Sequence, residues 1–431
     1  MSSAYLPRIA DERLAWYLKT SGAVQIEGPK WCGKTSTGEQ CAKSTVYLQD
    51  PDTGPALIAL ADSKPSAVLE GSKPRLIDEW QEAPQLWDAV RFSVDRSNQR
   101  GQYILTGSAT PKKRPAHSGV GRIAKLRMRT MSLFETGEST GAVSLKELFE
   151  YAHDRQHDNT AAQQRSVGAI AQLDVADLAY IICRGGWPEA VIENDRQIAL
   201  AQAFNYVTEM LDADIDELED KKRNSTWLRA IMRSYARNIA TEASLATIRN
   251  DMQGDQPSDA TVADYVDALK RAFVIEDMEA WNPKLRSKTA VRTSPTRHFC
   301  DPSIAAVMLG ATPEMLLRDF DTFGLLFESL CIRDLRVYAD ALNGEVKHYR
   351  DKTGLEADAV IVLPDDRWAA IEVKMGNSRI DEGAKHLLKL ANRVESDHEG
   401  EPSFLMVLTS TQTAYQRDDG VLVVPLATLA P

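Results

Sequence analysis

The chain has 431 residues, 43% of them hydrophobic and 26% charged, and its formal net charge at pH 7 is −11. This length predicts about two to four globular domains, while the negative charge argues against a protein that is basic over its whole surface. The five scattered cysteines argue against a zinc or disulfide framework, and no apolar run approaches the roughly 20 residues of a membrane span.

The N-terminal part of the chain, residues 1–140, begins with MSSAYLPRIADERL, which has acidic side chains and no apolar segment. Such a start is not a secretory signal and, with the cysteine usage, predicts a cytoplasmic protein without a membrane partner. Beyond it β-like runs alternate with helical ones, and the β-like runs are AVQIEG, STVYLQD, PRLIDEW and GQYILTGS. Strands that alternate with helices predict an α/β fold with a parallel sheet.

A glycine-rich motif, G-x-x-x-x-G-K-[ST], is complete between the strand AVQIEG and a helical segment. Its glycines let successive backbone N–H groups point at phosphate oxygens, with the helix N-terminus behind them. We expect Lys34 to reach the β- and γ-phosphates of a nucleoside triphosphate and Thr35 to ligate Mg²⁺. The predicted nucleotide-contacting residues are Gly28, Pro29, Lys30, Trp31, Cys32, Gly33, Lys34, Thr35 and Ser36.

Two further strand ends are expected to complete this site. The strand Arg75-Leu-Ile-Asp78-Glu79 ends in acids, so Asp78 would hold the Mg²⁺ ion and Glu79 would polarise the attacking water. The strand Tyr-Ile-Leu-Thr106-Gly-Ser108 should lie beside it and present Thr106 or Ser108 near the γ-phosphate. Taken alone, each motif could instead be a solvated strand end or a strand followed by a turn.

The middle of the chain is predicted to be helical. Residues 141–224 contain helical patterns interrupted by RGGWP, and residues 225–300 contain three helical segments followed by a β-like pair, as in winged helix-turn-helix domains. The presumed recognition helix carries Asp259, Asp264 and Asp267, which would repel phosphates. DNA contact would then depend on the wing residues Lys284, Arg286, Lys288 and Arg292. A protein-binding or purely structural role for this part is the alternative.

The C-terminal part, residues 301–431, contains a pattern of acids and one lysine. Glu328 lies in the helical segment FGLLFESLCIRDLRVYA, Asp358 in the strand LEADAVIVL, and Glu372-Val-Lys374 in the strand WAAIEVK. Residues i and i+2 of a strand share a side, so Glu372 and Lys374 would lie together beside Asp358. Asp358 and Glu372 could hold one or two Mg²⁺ ions, and Lys374 could activate water for attack on a phosphodiester. Ordinary charges at strand ends are the alternative.

The order of the N-terminal motifs, followed by Gly121-Arg122 before another strand, resembles that of the AAA-type ATPases. More specifically, the chain is similar over nearly its whole length to prokaryotic AAA ATPases with a C-terminal domain of unknown function. The segments that carry the resemblance are YLPR, GAVQIEGPKWCGKT, LIDEWQ, ILTGSATP, GVGRIAKLRMRTMSLFE, RGGWPEA and the C-terminal pattern. The resemblance implies ATP as the nucleotide, ATP hydrolysis and assembly into a homo-oligomer, for which a ring is one form.

The resemblance also implies roles for individual residues. In AAA-type ATPases an arginine between the hydroxyl strand and the last strand of the sheet inserts into the ATP site of the neighbouring subunit. Arg122 matches that position and Arg129 is the second candidate, while a surface role without phosphate contact is the alternative. The C-terminal pattern resembles the PD-(D/E)-x-K nuclease-like fold, with Glu328 as its helix-borne fourth member.

The sequence therefore predicts a Mg²⁺-dependent ATPase in four parts. They are an AAA-type ATPase domain (1–140), a helical linker region (141–224), a winged-helix-like domain (225–300) and an α/β restriction-endonuclease-like domain (301–431). The predicted function is an ATP-driven assembly that acts on nucleic acid, with local basic surfaces in the wing and in the segment from Lys112 to Arg129. The alternative is an ATP-gated switch or scaffold whose C-terminal domain binds a protein partner without cleavage.

Overall fold

The computed structural model describes residues 5–107, 119–157, 168–211, 224–252, 254, 256–283, 294–396 and 400–431. Contacts divide the chain into two compact units. The first comprises Met1–Thr130, Glu209–Arg223 and Val266–Val274, and the second comprises Met131–Thr208, Asn224–Tyr265 and Ile275–Pro431. The division into four functional parts remains a prediction.

A parallel sheet of five strands forms the centre of the first unit. The strands are β1 (Ala23–Glu27), β2 (Ser44–Tyr47), β3 (Arg75–Asp78), β4 (Tyr103–Gly107) and β5 (Ile123–Arg127). Their order across the sheet is β2-β3-β4-β1-β5, and each neighbouring pair is parallel. This confirms the predicted parallel α/β sheet and places the hydroxyl strand β4 directly beside the acidic strand β3, as expected.

Helices cover both faces of this sheet. They are α1 (Ile9–Thr20), α2 (Lys34–Cys41), α3 (Gly54–Ser63), α4 (Pro65–Val68) and α5 (Gln85–Ser97), with a short 3-10 helix at Trp80–Glu82. Ile77 packs into the core on one face and its neighbour Leu76 into the core on the other, because successive side chains of a strand alternate. The inner strands β1 and β4 are buried almost throughout, whereas the edge strands β2 and β5 also carry exposed residues.

The second unit contains a mixed sheet of seven strands and a small pair. The strands are β6 (Val143–Ser144), β7 (Ala169–Ile170), β8 (Glu345–Arg350), β9 (Glu356–Val362), β10 (Trp368–Lys374), β11 (Leu405–Thr409), β12 (Thr413–Gln416), β13 (Leu422–Pro425) and β14 (Leu429–Ala430). The large sheet has the order β7-β12-β13-β11-β10-β9-β8, and β6 pairs with β14. Strands β8, β9 and β10 form an antiparallel meander, after which β11 returns parallel to β10.

The remaining helices of the described chain are α6 (Leu145–His157), α7 (Val175–Arg184), α8 (Pro188–Ile192), α9 (Arg196–Glu209), α10 (Ser225–Arg237), α11 (Leu245–Asn250), α12 (Asp259–Arg271), α13 (Pro302–Leu309), α14 (Pro313–Leu316), α15 (Phe320–Ala341) and α16 (Ile380–Ser396). Short 3-10 helices lie at Asn377–Arg379 and Leu426–Thr428. Across all the residues that the structure describes, no helix is long and apolar enough to cross a membrane.

The long helix α15 positions one of the predicted acids. The Asp319 side chain caps its N-terminus by accepting a hydrogen bond from the backbone N–H of Thr322. Phe323 and Phe327 are fully buried in its first half, and every residue from Ser329 to Ala339 is buried in its second half. This packing fixes the rotation of the helix and so determines where Glu328 lies.

The predicted winged-helix-like part is confirmed only for its helices. Helices α10, α11 and α12 correspond to the three predicted segments, and two antiparallel bridges follow, between Ile275 and Phe299 and between Met278 and Thr296. The predicted wing residues Lys284, Arg286, Lys288 and Arg292 lie outside the described residues. The same is true of the first residues of the basic segment, 112–118, and of Ser108.

The RGGWP segment separates α7 from α8, as predicted, and buried polar groups hold it. Arg184 donates two hydrogen bonds to Glu138, at 2.7 and 2.8 Å. The backbone N–H of Gly186 donates to Asp301 at 3.0 Å. A Cβ atom on Gly186 would lie 2.1 Å from the carbonyl oxygen of Met131, so backbone packing requires glycine here.

Replacing Gly186 with Ala is therefore expected to destabilise the protein by about 3 kcal/mol, because two backbone segments would have to move apart. The matched control is Gly324→Ala in α15, where an added Cβ meets nothing within 4 Å. That change should stabilise the helix by up to about 1 kcal/mol, since glycine is a poor helix former. Urea unfolding of both variants measures the difference, and equal midpoints would contradict the packing described for Gly186.

Candidate functional site

The loop between β1 and α2 turns tightly at the carboxyl edge of the parallel sheet. Gly33 has a φ of 96°, a left-handed conformation that favours glycine, and directly precedes α2. A Cβ atom on Gly28 would lie 2.2 Å from the carbonyl oxygen of Met128, so this position also requires glycine. The first N–H groups of an α-helix have no partner inside the helix, so the N-terminus of α2 favours an anion. This geometry fits the phosphates of a nucleotide.

Three residues predicted from separate motifs converge beside this loop. The Thr35 hydroxyl donates a hydrogen bond to Oδ1 of Asp78 at 2.7 Å, and the Thr106 hydroxyl donates to the same oxygen at 2.5 Å. The Lys34 side chain is only 5% exposed, and its Nζ donates to the carbonyl oxygen of Pro29 across the loop at 2.7 Å. The fold thus brings together the loop, the acidic strand and the hydroxyl strand.

The environment of Asp78 suits a divalent cation. Burial raises the pKa of Asp78 above its usual range, while the hydrogen bonds from Thr106 and Thr35 lower it. A carboxylate and a threonine hydroxyl are oxygen ligands of the kind that Mg²⁺ uses when it also binds nucleotide phosphates. Asp78 and Thr35 therefore fit the predicted Mg²⁺ site.

Glu79 is held at the end of β3 by its surroundings. Its backbone is left-handed, with a φ of 54°, and its N–H donates to the Thr106 hydroxyl at 3.2 Å. Gln81 Nε2 donates a hydrogen bond to the Glu79 carboxylate. A Cβ atom on Gly107 would lie 2.8 Å from Oε1 of Gln81, so the amide is closely packed. Sequence reasoning assigned no role to Gln81, although it included the residue in the segment LIDEWQ.

Arg8 is a second residue whose position the sequence did not reveal. Its side chain is 6% exposed, and the guanidinium donates to the carbonyl oxygens of Cys32 at 2.7 Å and Arg129 at 2.8 Å. Arg8 thereby braces the loop against the residues that follow β5. The segment YLPR, which ends in Arg8, was one of those that carry the family resemblance, but no role was assigned to this arginine.

The remaining predicted loop residues differ in exposure. Trp31 is 49% exposed and has a left-handed backbone, with a φ of 63°. Cys32 is fully buried in the core that includes Leu14 and Ile26, so its thiol faces the protein interior and only its backbone can face a phosphate. Ser36 is exposed at the start of α2, next to Thr35.

Arg122 lies at the amino ends of the parallel strands, whereas the loop lies at their carboxyl ends. It directly precedes β5, its carbonyl oxygen accepts from the N–H of Ala23, and its Nε donates to Asp95 at 2.7 Å. At about 3.3 Å per residue, β1 separates this edge from the loop by about 13 Å. Arg122 therefore does not join its own subunit's site. Arg129, by contrast, follows β5 at the edge where the loop lies.

The second predicted site is assembled in the second unit. Strands β9 and β10 are antiparallel neighbours, and the backbone N–H of Val373 donates to Oδ2 of Asp358 at 2.7 Å. Lys374 Nζ lies 3.5 Å from the same Asp358 oxygen and directly against the carboxylate of Glu372. This confirms the prediction that Glu372 and Lys374 share a side of β10 and face Asp358.

Electrostatic effects show how closely these groups interact. Burial, and then the charge of Asp358, raise the pKa of Glu372 to about 8 and the pKa of Glu328 well above its usual range. Burial lowers the pKa of Lys374, but the charges of Asp358 and Glu372 outweigh it and raise this pKa overall. The charges of Asp358, Lys374 and Glu372 act on Glu328 of α15, and its part in the site stays a prediction.

The cluster has buried oxygen atoms suited to a cation. Glu372 is 1% exposed, and neither of its carboxylate oxygens accepts a hydrogen bond of normal geometry within the described structure. Among the described residues, no group of three or more His, Cys, Asp or Glu side chains is placed to hold a metal ion. Mg²⁺ commonly binds one or two carboxylates and completes its shell with water and substrate phosphates, so Asp358 and Glu372 fit such an ion.

Three stretches of the chain match models of known protein families. Residues 20–137 match an AAA domain, which supports an AAA-type ATPase in this part of the chain. Residues 175–315 and 323–429 match two domains of unknown function, DUF8612 and DUF4143. A C-terminal domain of unknown function is therefore confirmed, and its description assigns no activity.

Individual relatives are distant. Uncharacterized protein Mb2031c from Mycobacterium bovis and Uncharacterized protein Rv2008c from Mycobacterium tuberculosis are each 25% identical over 332 residues, which is 76% of this chain. The chain spans only 65% of the length of these relatives. The Walker-type ATPase PABY2304 of Pyrococcus abyssi is 12% identical, with a TM-score of 0.40, over 69% of this chain and 94% of its own. A similarity this distant assigns no activity.

Proposed function

We propose that this chain binds ATP at Gly28–Thr35 and hydrolyses it with Mg²⁺. The observation that carries this proposal is the convergence of Thr35 and Thr106 on one oxygen of Asp78, beside the loop. A phosphate-binding loop, an acid for the metal and a strand-end hydroxyl are the parts that phosphoryl transfer requires in one place.

Each residue would have a separate task in hydrolysis. The loop and the N-terminus of α2 would bind the phosphates, and Lys34 would exchange the Pro29 carbonyl oxygen for a phosphate oxygen. Mg²⁺ would be held by Thr35 and Asp78 and would neutralise charge on the transferring phosphoryl group. Glu79, oriented by Gln81, would accept a proton from water as the water oxygen bonds to the γ-phosphorus and ADP leaves with the bridging oxygen.

Replacing Lys34 with Ala tests the nucleotide site. The change should weaken ATP binding by a factor on the order of 100, because losing a buried charged partner of the phosphates costs about 3 kcal/mol. Titration with a fluorescent ATP analogue in Mg²⁺ measures the affinity. The matched control is Lys43→Ala, an exposed lysine just beyond α2, which should bind like the wild-type protein. Equal affinity of both variants would contradict the assigned site.

We further propose that subunits assemble in the presence of ATP, with Arg122 acting on the nucleotide of a neighbour. The support is its place at the edge of the sheet opposite its own loop, where the side chain is 48% exposed. A fixed guanidinium could stabilise charge on the phosphoryl group of the adjacent subunit.

Mixing two inactive variants tests this arrangement. Arg122→Ala and Glu79→Gln should each lose ATP hydrolysis, yet a mixture should regain part of it. Active sites reappear only where a subunit with intact Glu79 adjoins one with intact Arg122. Phosphate release and sedimentation with ATP are the measurements. A protein that stays monomeric with undiminished hydrolysis would overturn both the assembly and the role of Arg122.

For the C-terminal domain we propose metal-dependent cleavage of nucleic-acid phosphodiesters. The support is the buried carboxylate of Glu372, which is paired with Lys374, in one cluster with Asp358 and Glu328. The element order α15-β8-β9-β10-α16-β11, with the acids and the lysine at adjoining positions, also suits the nuclease-like fold that the sequence resembles. Lys374 would orient the attacking water beside Asp358 and Glu372.

Incubation of the purified protein with plasmid and linear DNA separates this function from its alternative. We expect cleavage with Mg²⁺ or Mn²⁺ and none with chelator, and the comparison with and without ATP shows whether the two activities are coupled. If the protein neither binds nor cleaves DNA at low salt, the second domain is better explained as the protein-binding part of an ATP-gated switch.

A further inference from the structure

A narrow cleft lies beside the carboxylate cluster of the second unit. It has a volume of about 380 Å³ and lies between the turn at residues 353–356 and helix α16. From the helix it is lined by His386, Lys389 and Arg393. Residues spaced by three and four positions lie on one face of a helix, so these three side chains form a continuous strip. We call this space the α16 cleft.

The α16 cleft adjoins the carboxylates of the proposed nuclease site. His386 Nδ1 lies 3.9 Å from Oε1 of Glu372. Glu356, which lines the other wall, is two residues before Asp358 and therefore on the same side of β9. A chain of phosphates entering along the helix would thus run from Arg393 towards Glu372.

The charges of the cleft favour an anion, although the whole chain is acidic. Lys389 is exposed, and Arg393 is 51% exposed with its Nη2 3.8 Å from Asp351. The acid in the cleft, Glu356, lies 3.5 Å from Arg350, which reduces its repulsion of phosphates. Arginine and lysine are the side chains that usually bind nucleic-acid phosphates.

The spacing of the strip suits successive nucleotides. Helix rise places Lys389 about 4.5 Å beyond His386 and Arg393 about 6 Å beyond Lys389 along the axis. Nucleotides of one stacked strand are about 3.4 Å apart, so Lys389 and Arg393 are separated along the helix by the length of about two nucleotides. The two side chains can therefore contact different phosphates of the same strand. A cleft of about 380 Å³ has the size of a small-ligand site and accommodates part of a single strand.

We propose that the α16 cleft binds the sugar–phosphate backbone of a single nucleic-acid strand, with Lys389 and Arg393 contacting phosphates next to the carboxylate cluster. This inference rests on the nuclease half of the proposed function and names the strand-binding residues of that same site. Lys389 and Arg393 would thus provide a basic surface in addition to the two that the sequence predicts, in the wing and in the segment that begins at Lys112.

Binding of a fluorescein-labelled oligodeoxythymidylate to the full chain tests the proposal. Anisotropy is measured in EDTA, which prevents metal-dependent cleavage, over a series of salt concentrations. The double variant Lys389→Gln, Arg393→Gln should bind at least tenfold more weakly. Its slope of log affinity against log salt should fall by about 1.4, since each phosphate contact on a single strand contributes about 0.7.

Two further variants separate phosphate contact from general charge and from folding. Lys146→Gln, Arg196→Gln removes the same charge from exposed helical positions, with 64% and 65% side-chain exposure, and should bind like the wild-type protein. The exchange Lys389→Arg, Arg393→Lys keeps both cations and should restore most of the affinity. If the cleft variant binds with wild-type affinity and salt slope, the proposal is overturned.

The same proteins distinguish failure of the cleft from failure of the nuclease. If the cleft variant loses binding while the wild-type protein cleaves nothing with Mg²⁺ or Mn²⁺, the cleft stands and the nuclease half of the proposed function fails. If the wild-type protein and the cleft variant bind and cleave equally well, the nuclease stands and the cleft fails. A wild-type protein that does not bind the oligonucleotide at low salt overturns the cleft, and its cleavage of plasmid and linear DNA with Mg²⁺ or Mn²⁺ decides the nuclease half separately.

Discussion

Replacing Glu79 with Gln is expected to slow ATP hydrolysis by a factor on the order of 10²–10⁴, the usual contribution of a positioned general base. Affinity for ATP should stay nearly unchanged. The amide has the shape of the carboxylate and can keep a hydrogen bond with Gln81, and the backbone N–H can still donate to Thr106. The side-chain amide of the variant, however, cannot accept the proton of the attacking water. Phosphate release under single-turnover conditions and nucleotide titration measure the two quantities.

The matched control for this variant is Glu82→Gln. Glu82 is exposed three residues further along, and its carboxylate accepts a hydrogen bond from Gln49 at 3.1 Å. The control should hydrolyse ATP at the wild-type rate. If Glu79→Gln also turns over normally, Glu79 is not the group that activates water, and the tight backbone at the end of β3 has a structural role alone.

Replacing Glu372 or Asp358 with Ala is expected to reduce metal-dependent DNA cleavage by a factor of at least about 10³. Removing a carboxylate weakens the hold on a metal ion that supplies several kcal/mol of charge stabilisation, and each 1.36 kcal/mol is tenfold in rate. Titration with Mn²⁺ should show weakened metal binding in both variants. Thermal unfolding of both variants shows whether the fold is retained.

Two controls distinguish metal binding from water activation and from general damage. Lys374→Ala should lose cleavage yet bind Mn²⁺, because in the proposed site the ammonium group orients water and does not ligate the metal. Glu345→Ala removes an acid that is 71% exposed at the start of β8 and should leave cleavage unchanged. ATP binding should be normal in all four variants. Undiminished cleavage by Glu372→Ala would assign the activity to another site.

The local features of both sites could be predicted from the sequence. A phosphate-binding loop depends on glycines at fixed spacing, because the backbone of a few consecutive residues determines its shape. The strands that carry Asp78, Thr106, Asp358 and Glu372 were predictable as well, because each contains a short apolar run of the kind that indicates a buried strand. The alternation of side chains along β10 placed Glu372 and Lys374 together without any knowledge of the tertiary structure.

Contacts between residues far apart in the chain were decided by the tertiary structure alone. The sequence did not show that Arg8 braces the loop against Arg129 or that the thiol of Cys32 faces the core. It also did not show that His386 on α16 lies beside Glu372, which brings the cleft next to the carboxylate cluster. Such contacts depend on how helices and strands pack, and this packing depends on all the residues of the core. The sequence by itself therefore determined which chemical groups the protein has and in which local order, whereas the packing of the sheets and helices determined which of those groups meet.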